Sequence, residues 1–170
     1  MGVIPSDKEK FLGDLDDRTK VIKPQDPSKV VALTASTTLT AADHAFKVIT
    51  ITAATGWALT LPAATGTGDV YKIFSLSDMS EGIGVIQVAN ATDTMTGGVT
   101  CRSDSSNAAL FFDAAATAGA DTITLNRTTT GGVEEGEWFV ITDVASGIFH
   151  VEGYIVASGS EATPFSAAVA

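Results

Sequence analysis

One cysteine, Cys101, stands in a chain of 170 residues, so no intrachain disulfide is possible. A chain of this length forms about one domain and can bury a sizeable core without a covalent staple; folding in a reducing cytoplasm is the expectation. Charge is also scarce, at 18% of residues against a usual quarter, and ten Lys and Arg face twenty Asp and Glu. The basic groups are unevenly spread. Residues 1–29 hold six of them (Lys8, Lys10, Arg18, Lys20, Lys23, Lys29) and six acids, leaving Lys47, Lys72, Arg102 and Arg127 against fourteen acids in residues 30–170. The net charge of −10 therefore lies in the body. A body so poor in cations cannot neutralise a row of phosphates, and nucleic acid is not an expected partner.

Long apolar runs are missing too. The longest uncharged stretch of note, VITITAATGWALTLPAATGTG at residues 48–68, is broken by Thr, Gly and Pro62, which excludes a spanning helix. Its Val, Ile, Leu and Trp57 equally exclude a flexible linker. The opening MGVIPSDKEKF has no basic stretch followed by an apolar one, so neither a secretory leader nor a membrane partner is expected.

What is present divides near residue 29. Residues 1–29 are dense in charge and interrupted by Pro24 and Pro27; Ser6-Asp7-Lys8-Glu9 has capping-box spacing and could begin a short helix that Gly13 stops. This segment reads as an extended arm, with a disordered tail as the other option; Ile4, Phe11 and Leu12, its early apolar anchors, favour the arm. From residue 30 the cadence becomes short β runs between turns. Expected strands are Val30–Leu33, Phe46–Thr52, Trp57–Leu61, Val70–Leu76, Ile83–Ala89, Ala109–Phe112, Thr122–Leu125, Trp138–Thr142 and Ile148–Val156. In Val48-Ile49-Thr50-Ile51-Thr52 the isoleucines alternate with threonines, the period of a half-buried strand. Only Thr40–Ala45 and the Ala-rich Asp113–Ala120 have helical character. The expected fold is all-β, an antiparallel sandwich or jelly-roll-like domain over residues 30–170. A faint repeat relates residues 59–68 to residues 123–132: a strand enters a Thr/Gly turn, and a strand bearing aromatics follows.

Catalytic signatures are sparse. Cys101, His44 and His150 are isolated in sequence, without zinc spacing or a paired nucleophile and base. Gly66-Thr67-Gly68 and Gly82-Ile83-Gly84 lack the third glycine and the helix of a dinucleotide loop and read as hairpin turns. Glu134, Glu135 and Glu137 form the one dense acidic group; with Gly136 at a turn tip they read as a solvated loop, with a loosely held cation or an intersubunit salt bridge as the other options. No catalytic residue, cofactor or metal is expected. The outward strand positions are often Thr, Ser or Ala where a free monomer would protect its edges with Lys, which favours a surface made for protein neighbours.

Several stretches also have a familiar look. Val31–Thr40, Leu59–Gly66, Ile86–Asn90 and Gly159–Ser166 resemble small β-rich virion proteins of tailed bacteriophages, and within that group the head decoration, or capsid cement, proteins. The resemblance covers roughly residues 30–170 and not the arm. It implies a homotrimeric sandwich on the outside of the virion head, made in the host cytoplasm, clamping adjacent major capsid protein subunits; the arm's apolar anchors Ile4, Phe11 and Leu12, which the resemblance does not cover, are the expected capsid contacts on that reading. A tail-fibre or other tail-associated module is the neighbouring reading, and a carbohydrate-binding or glycan-cleaving sandwich the one from another class. Against the latter stands the aromatic count: Trp57, Trp138, Tyr71 and Tyr154 alone, all of them inside expected strands.

Overall fold

The computed structural model describes residues 30–170; Ile4, Phe11 and Leu12 lie outside the described residues. Twelve strands are present among them: β1 Val30–Leu33, β2 Thr37–Thr38, β3 Val48–Ile51, β4 Thr55–Thr60, β5 Val70–Ser75, β6 Glu81–Gln87, β7 Thr94–Ser103, β8 Ala109–Asp113, β9 Thr122–Leu125, β10 Trp138–Ala145, β11 Ile148–Ala157 and β12 Phe165–Ser166. One helical turn, α1 (Ala41–His44), precedes β3, and a 3-10 turn over Ala114–Ala116 follows β8.

The strands form a seven-stranded sheet in the order β1-β3-β5-β10-β11-β7-β8 and a five-stranded sheet in the order β12-β9-β6-β4-β2. Both contribute to one core. Ile49, Ile51, Ile73, Ile141, Phe149, Val151 and Ile155 come from the larger sheet, and Leu59, Ile86 and Ile123 from the smaller; all are essentially inaccessible to solvent. Each such side chain contributes about 2 kcal/mol through burial, so no disulfide is needed. The all-β two-sheet expectation is met.

The direction of the strands differs from the expectation. Five ladders are antiparallel, but β1–β3, β3–β5, β2–β4, β4–β6 and β7–β11 run parallel. From β1 to β7 the chain changes sheet at every strand, so that β1, β3 and β5 stack in one sheet and β2, β4 and β6 in the other. The first half is therefore a coil flattened between two sheets rather than a set of Greek-key hairpins. Parallel neighbours need a long crossover, and here the strand of the opposite sheet supplies it. Periodicity alone could not separate these arrangements, because alternation reports one buried face and not the direction of the neighbour.

This topology explains residues 48–68. β3 is paired on both sides, by β1 and β5, and β4 by β2 and β6. The stretch lacks charge because it is interior to both sheets, not because its edges await a partner. The outermost strands of the smaller sheet, β2 and β12, are two residues each. Those of the larger sheet are β1 and the mostly exposed β8.

β7 is not among the expected strands, although it is ten residues long; Gly97-Gly98 interrupts the run of β-forming residues there. Both glycines are instead demanded by close neighbours. A Cβ on Gly97 would lie 2.3 Å from the Val151 carbonyl oxygen, and one on Gly98 2.3 Å from that of Phe112. Gly82-Ile83-Gly84 likewise belongs to β6, beside an irregularity in its register with β4, and is not a hairpin turn.

Candidate functional site

Of the isolated groups that could have carried chemistry, His44 and Cys101 are structural, while His150 is partly exposed with its Nε2 3.5 Å from Glu152 Oε1. His44 is buried at the end of α1, and its Nδ1 accepts a hydrogen bond from the Thr40 amide at 3.0 Å. Cys101 faces the core with no solvent exposure, and burial first, then the charges of Glu161 and Glu137, push its thiol up from the ordinary value. A thiol held protonated in an apolar setting is a poor nucleophile. Among the described residues no three His, Cys, Asp or Glu side chains gather as metal ligands.

The acidic group at residues 134–137 is not one solvated loop. Glu134 is exposed and pairs with Arg102 at 2.6 Å, an ion pair within the chain, while Glu135 is exposed. Glu137 is 1% exposed. Its Oε1 accepts from the amides of Gly132 (2.9 Å), Val133 (3.1 Å) and Val156 (3.1 Å), and its Oε2 from Gly132 (2.8 Å). At the other end of β10, Asp143 is buried in the same manner. It accepts from the amides of Gly66 (2.7 Å), Thr65 (3.0 Å) and Thr67 (3.3 Å) and from the hydroxyls of Thr67 (3.0 Å) and Thr65 (3.3 Å). The Thr/Gly turns of the faint repeat are thus the two loops that close over carboxylates at either end of β10. The strands flanking each turn, β4 and β5 or β9 and β10, lie in different sheets and do not form hairpins.

Asp93 and Asp121 are buried acids of the same kind. Asp93 accepts from the Ala64 amide at 2.9 Å, and Asp121 from the Ala168 amide at 2.8 Å and the Val169 amide at 3.2 Å. A buried carboxylate is tolerated when backbone N–H groups satisfy it, and this is how a chain so short of Lys and Arg accommodates its acids.

The surface feature that remains is on the outer face of the larger sheet. Register places Phe74 of β5, Trp138 of β10, Tyr154 of β11, Thr100 of β7 and Phe111 of β8 in one row across five strands. The adjacent row holds Lys72, Val140, Glu152, Gly98 and Asp113. Between the rows lies a shallow depression of about 420 Å³ lined by Gly98, Thr100, Phe111, Trp138, Glu152 and Tyr154. Arg102 Nε donates to Tyr154 Oη at 3.0 Å and fixes that ring.

Comparison with protein-family models, curated proteins and solved structures gives no match.

Strand location had counted against Trp138 and Tyr154 as ligand contacts, yet it is their strands that align them. The sequence did carry a signal. In Val70-Tyr71-Lys72-Ile73-Phe74, Phe74 is in phase with Lys72, and in His150-Val151-Glu152-Gly153-Tyr154, Tyr154 is in phase with His150 and Glu152. An aromatic on the polar phase of a strand belongs to the outer face. The expected arm contacts Ile4, Phe11 and Leu12 fall outside the described residues.

Proposed function

We propose that this protein is a structural component of a virion, a head decoration protein that binds the outer surface of a phage capsid as a homotrimer and bridges major capsid protein subunits. The reading is supported by the sequence resemblance over residues 30–170 and by one feature of the surface. β1, β3 and β5 run parallel, so their first residues lie at one end of the larger sheet, where antiparallel β10 ends. At that end Val30 is 59% exposed, Phe46 50% and Val144 49%, and residue 30 is where the arm joins the body. Exposed apolar side chains gathered where a charged arm leaves a low-charge body are suited to burial against another protein. β8, the outer strand at the far side of the same sheet, has one edge without a strand partner among the described residues; it is suited to a sister copy and carries no lysine to deter it.

The test is occupancy. Expanded heads lacking their decoration are mixed with the purified full chain and sedimented. Saturable binding at a fixed number of copies per head, lost when residues 1–29 are deleted, supports the reading. A monomer at tens of micromolar by analytical ultracentrifugation that leaves heads bare rejects it.

A further inference from the structure

We infer that the depression on the outer face of the larger sheet binds an alkylammonium group, a cationic nitrogen on an apolar stem. Its walls are the rings of Phe111, Trp138 and Tyr154, and aromatic faces attract cations through their quadrupoles, most strongly where water is partly excluded. The acceptor is Glu152. Its side chain is 68% exposed, and among the described residues its carboxylate meets only His150 Nε2, at 3.5 Å. Gly98 lets the Phe111 wall approach. Phe111 Cζ would lie 2.6 Å from a Cβ at that position, so the ring packs over the buried glycine and any larger residue there would displace it. The Tyr154 ring is held in advance by Arg102, whose own charge is answered by Glu134 at 2.6 Å and does not oppose a second cation. An acidic body, with fourteen acids against four bases in residues 30–170, adds a favourable field.

A sugar fits this site less well. A pyranose presents hydroxyls around its ring, whereas the side chains lining the depression offer the Thr100 hydroxyl, the Trp138 indole N–H, the Glu152 carboxylate and the one proton left on Tyr154. A quaternary or primary ammonium on an alkyl stem needs little else than three ring faces and one carboxylate. The same group is carried by a small quaternary amine and by a lysine side chain on a neighbouring protein.

Two indoles are present, and only Trp138 faces the depression, since Trp57 is buried. The indole N–H resonance of Trp138, assigned with Trp138→Phe, therefore reports occupancy in the full chain. Choline, Nα-acetyl-lysine methylamide, the uncharged tert-butyl analogue of choline and a panel of methyl glycosides are titrated separately. The expected result is a saturable shift with an ammonium compound and roughly tenfold weaker binding of the uncharged analogue. Glu152→Gln lowers ammonium affinity by roughly tenfold and leaves the uncharged analogue unchanged. Phe111→Leu, at a position 65% exposed and therefore harmless to folding, weakens both. Tighter binding of choline names a small molecule as the source of the group, and tighter binding of the lysine derivative names a protein side chain; the ammonium assignment stands in either case. Equal binding of choline and its uncharged analogue, a shift only with glycosides, or no saturable shift overturns it. Heads take no part in this titration, so its failure is distinct from failure of the capsid reading.

Discussion

Glu137 and Asp143 sit at the two ends of one strand, both buried and both held by backbone N–H groups, yet their acidities move in opposite directions. For Glu137 burial dominates and raises the pKa despite donations from Gly132, Val156 and Val133. For Asp143 burial also raises it, but the donors of Thr65, Gly66 and Thr67 together outweigh that and bring it below the ordinary value. The surroundings account for the difference. The turn over Asp143 is solvent-exposed and adds two hydroxyls to three amides. The Glu137 carboxylate lies where a Cβ on Gly131 would touch it together with Leu125 and Ile155, which is apolar ground. The contrast teaches that similar donor sets produce a stable ion at a wet rim and a strained one inside a core.

Removal of each carboxylate is the strongest way to break this comparison. Glu137→Ala leaves the amides of Gly132, Val133 and Val156 without an acceptor and opens a cavity against Leu125 and Ile155, for an expected loss of about 4 kcal/mol. Asp143→Ala leaves amides near solvent, where water replaces part of what is lost, and should cost about 2 kcal/mol. Urea unfolding of the two variants checks the order. If Asp143→Ala proves the costlier, depth of burial is not what separates the sites.

Acidity sharpens it next. Asp143 has a folded pKa below the ordinary 3.8, so its contribution is complete above that value and is lost as pH falls through the folded one. Glu137 has a folded pKa above the ordinary 4.5; the folded protein keeps the proton longer than the unfolded chain, so stability from this group declines as pH rises from 4.5 to the folded value. Asp143→Asn should flatten the acid limb of the stability curve, and Glu137→Gln should remove the decline above pH 4.5, each by roughly 1.4 kcal/mol per unit of difference. Denaturation midpoints measured from pH 3 to pH 8 read both slopes; these bounds span the ordinary carboxylate range of about 4.

A smaller effect is expected at the chain's last strand. Asp121 joins the start of β9 to the residues after β12 through the Ala168 and Val169 amides. Asp121→Ala should cost about 1.5 kcal/mol and speed hydrogen exchange at those two amides before any other. Uniform acceleration across β9 instead would place Asp121 with Glu137, as a support of the core rather than of one segment.

Much of this was legible. Most strand runs and the helical turn α1 follow from alternation and from Thr40 ahead of Ala41–His44. Strand direction was not legible, because Ile49 and Ile51 face the core whether β1 and β5 run with β3 or against it. Nor was β7, where backbone crowding by Val151 and Phe112 demands the glycines that mimic a turn. Glu137 was grouped with Glu134 and Glu135 because it follows them in sequence; only the ring of amides around it distinguishes a clamp from a solvated charge. The aromatic row was half legible, since the phase of Phe74 and Tyr154 marks the outer face while their alignment depends on register between distant strands.

The smallest expected effect carries the comparison to a neutral acceptor. Thr40 caps α1: its Oγ1 accepts from the Asp43 amide at 3.2 Å and donates to Asp43 Oδ2 at 2.9 Å. It performs for one exposed turn what Asp143 performs for the Thr65–Thr67 loop, but with a hydroxyl that carries no charge to desolvate. Thr40→Ala should therefore cost about 1 kcal/mol. Thr40→Asp restores an acceptor beside Asp43 and sets two carboxylates against one another, so it should recover less than the full amount at neutral pH and more of it in acid. Recovery that is complete at neutral pH would mean that the helix N-terminus, short as it is, outweighs the repulsion, and that charge at an exposed cap behaves like charge at Asp143.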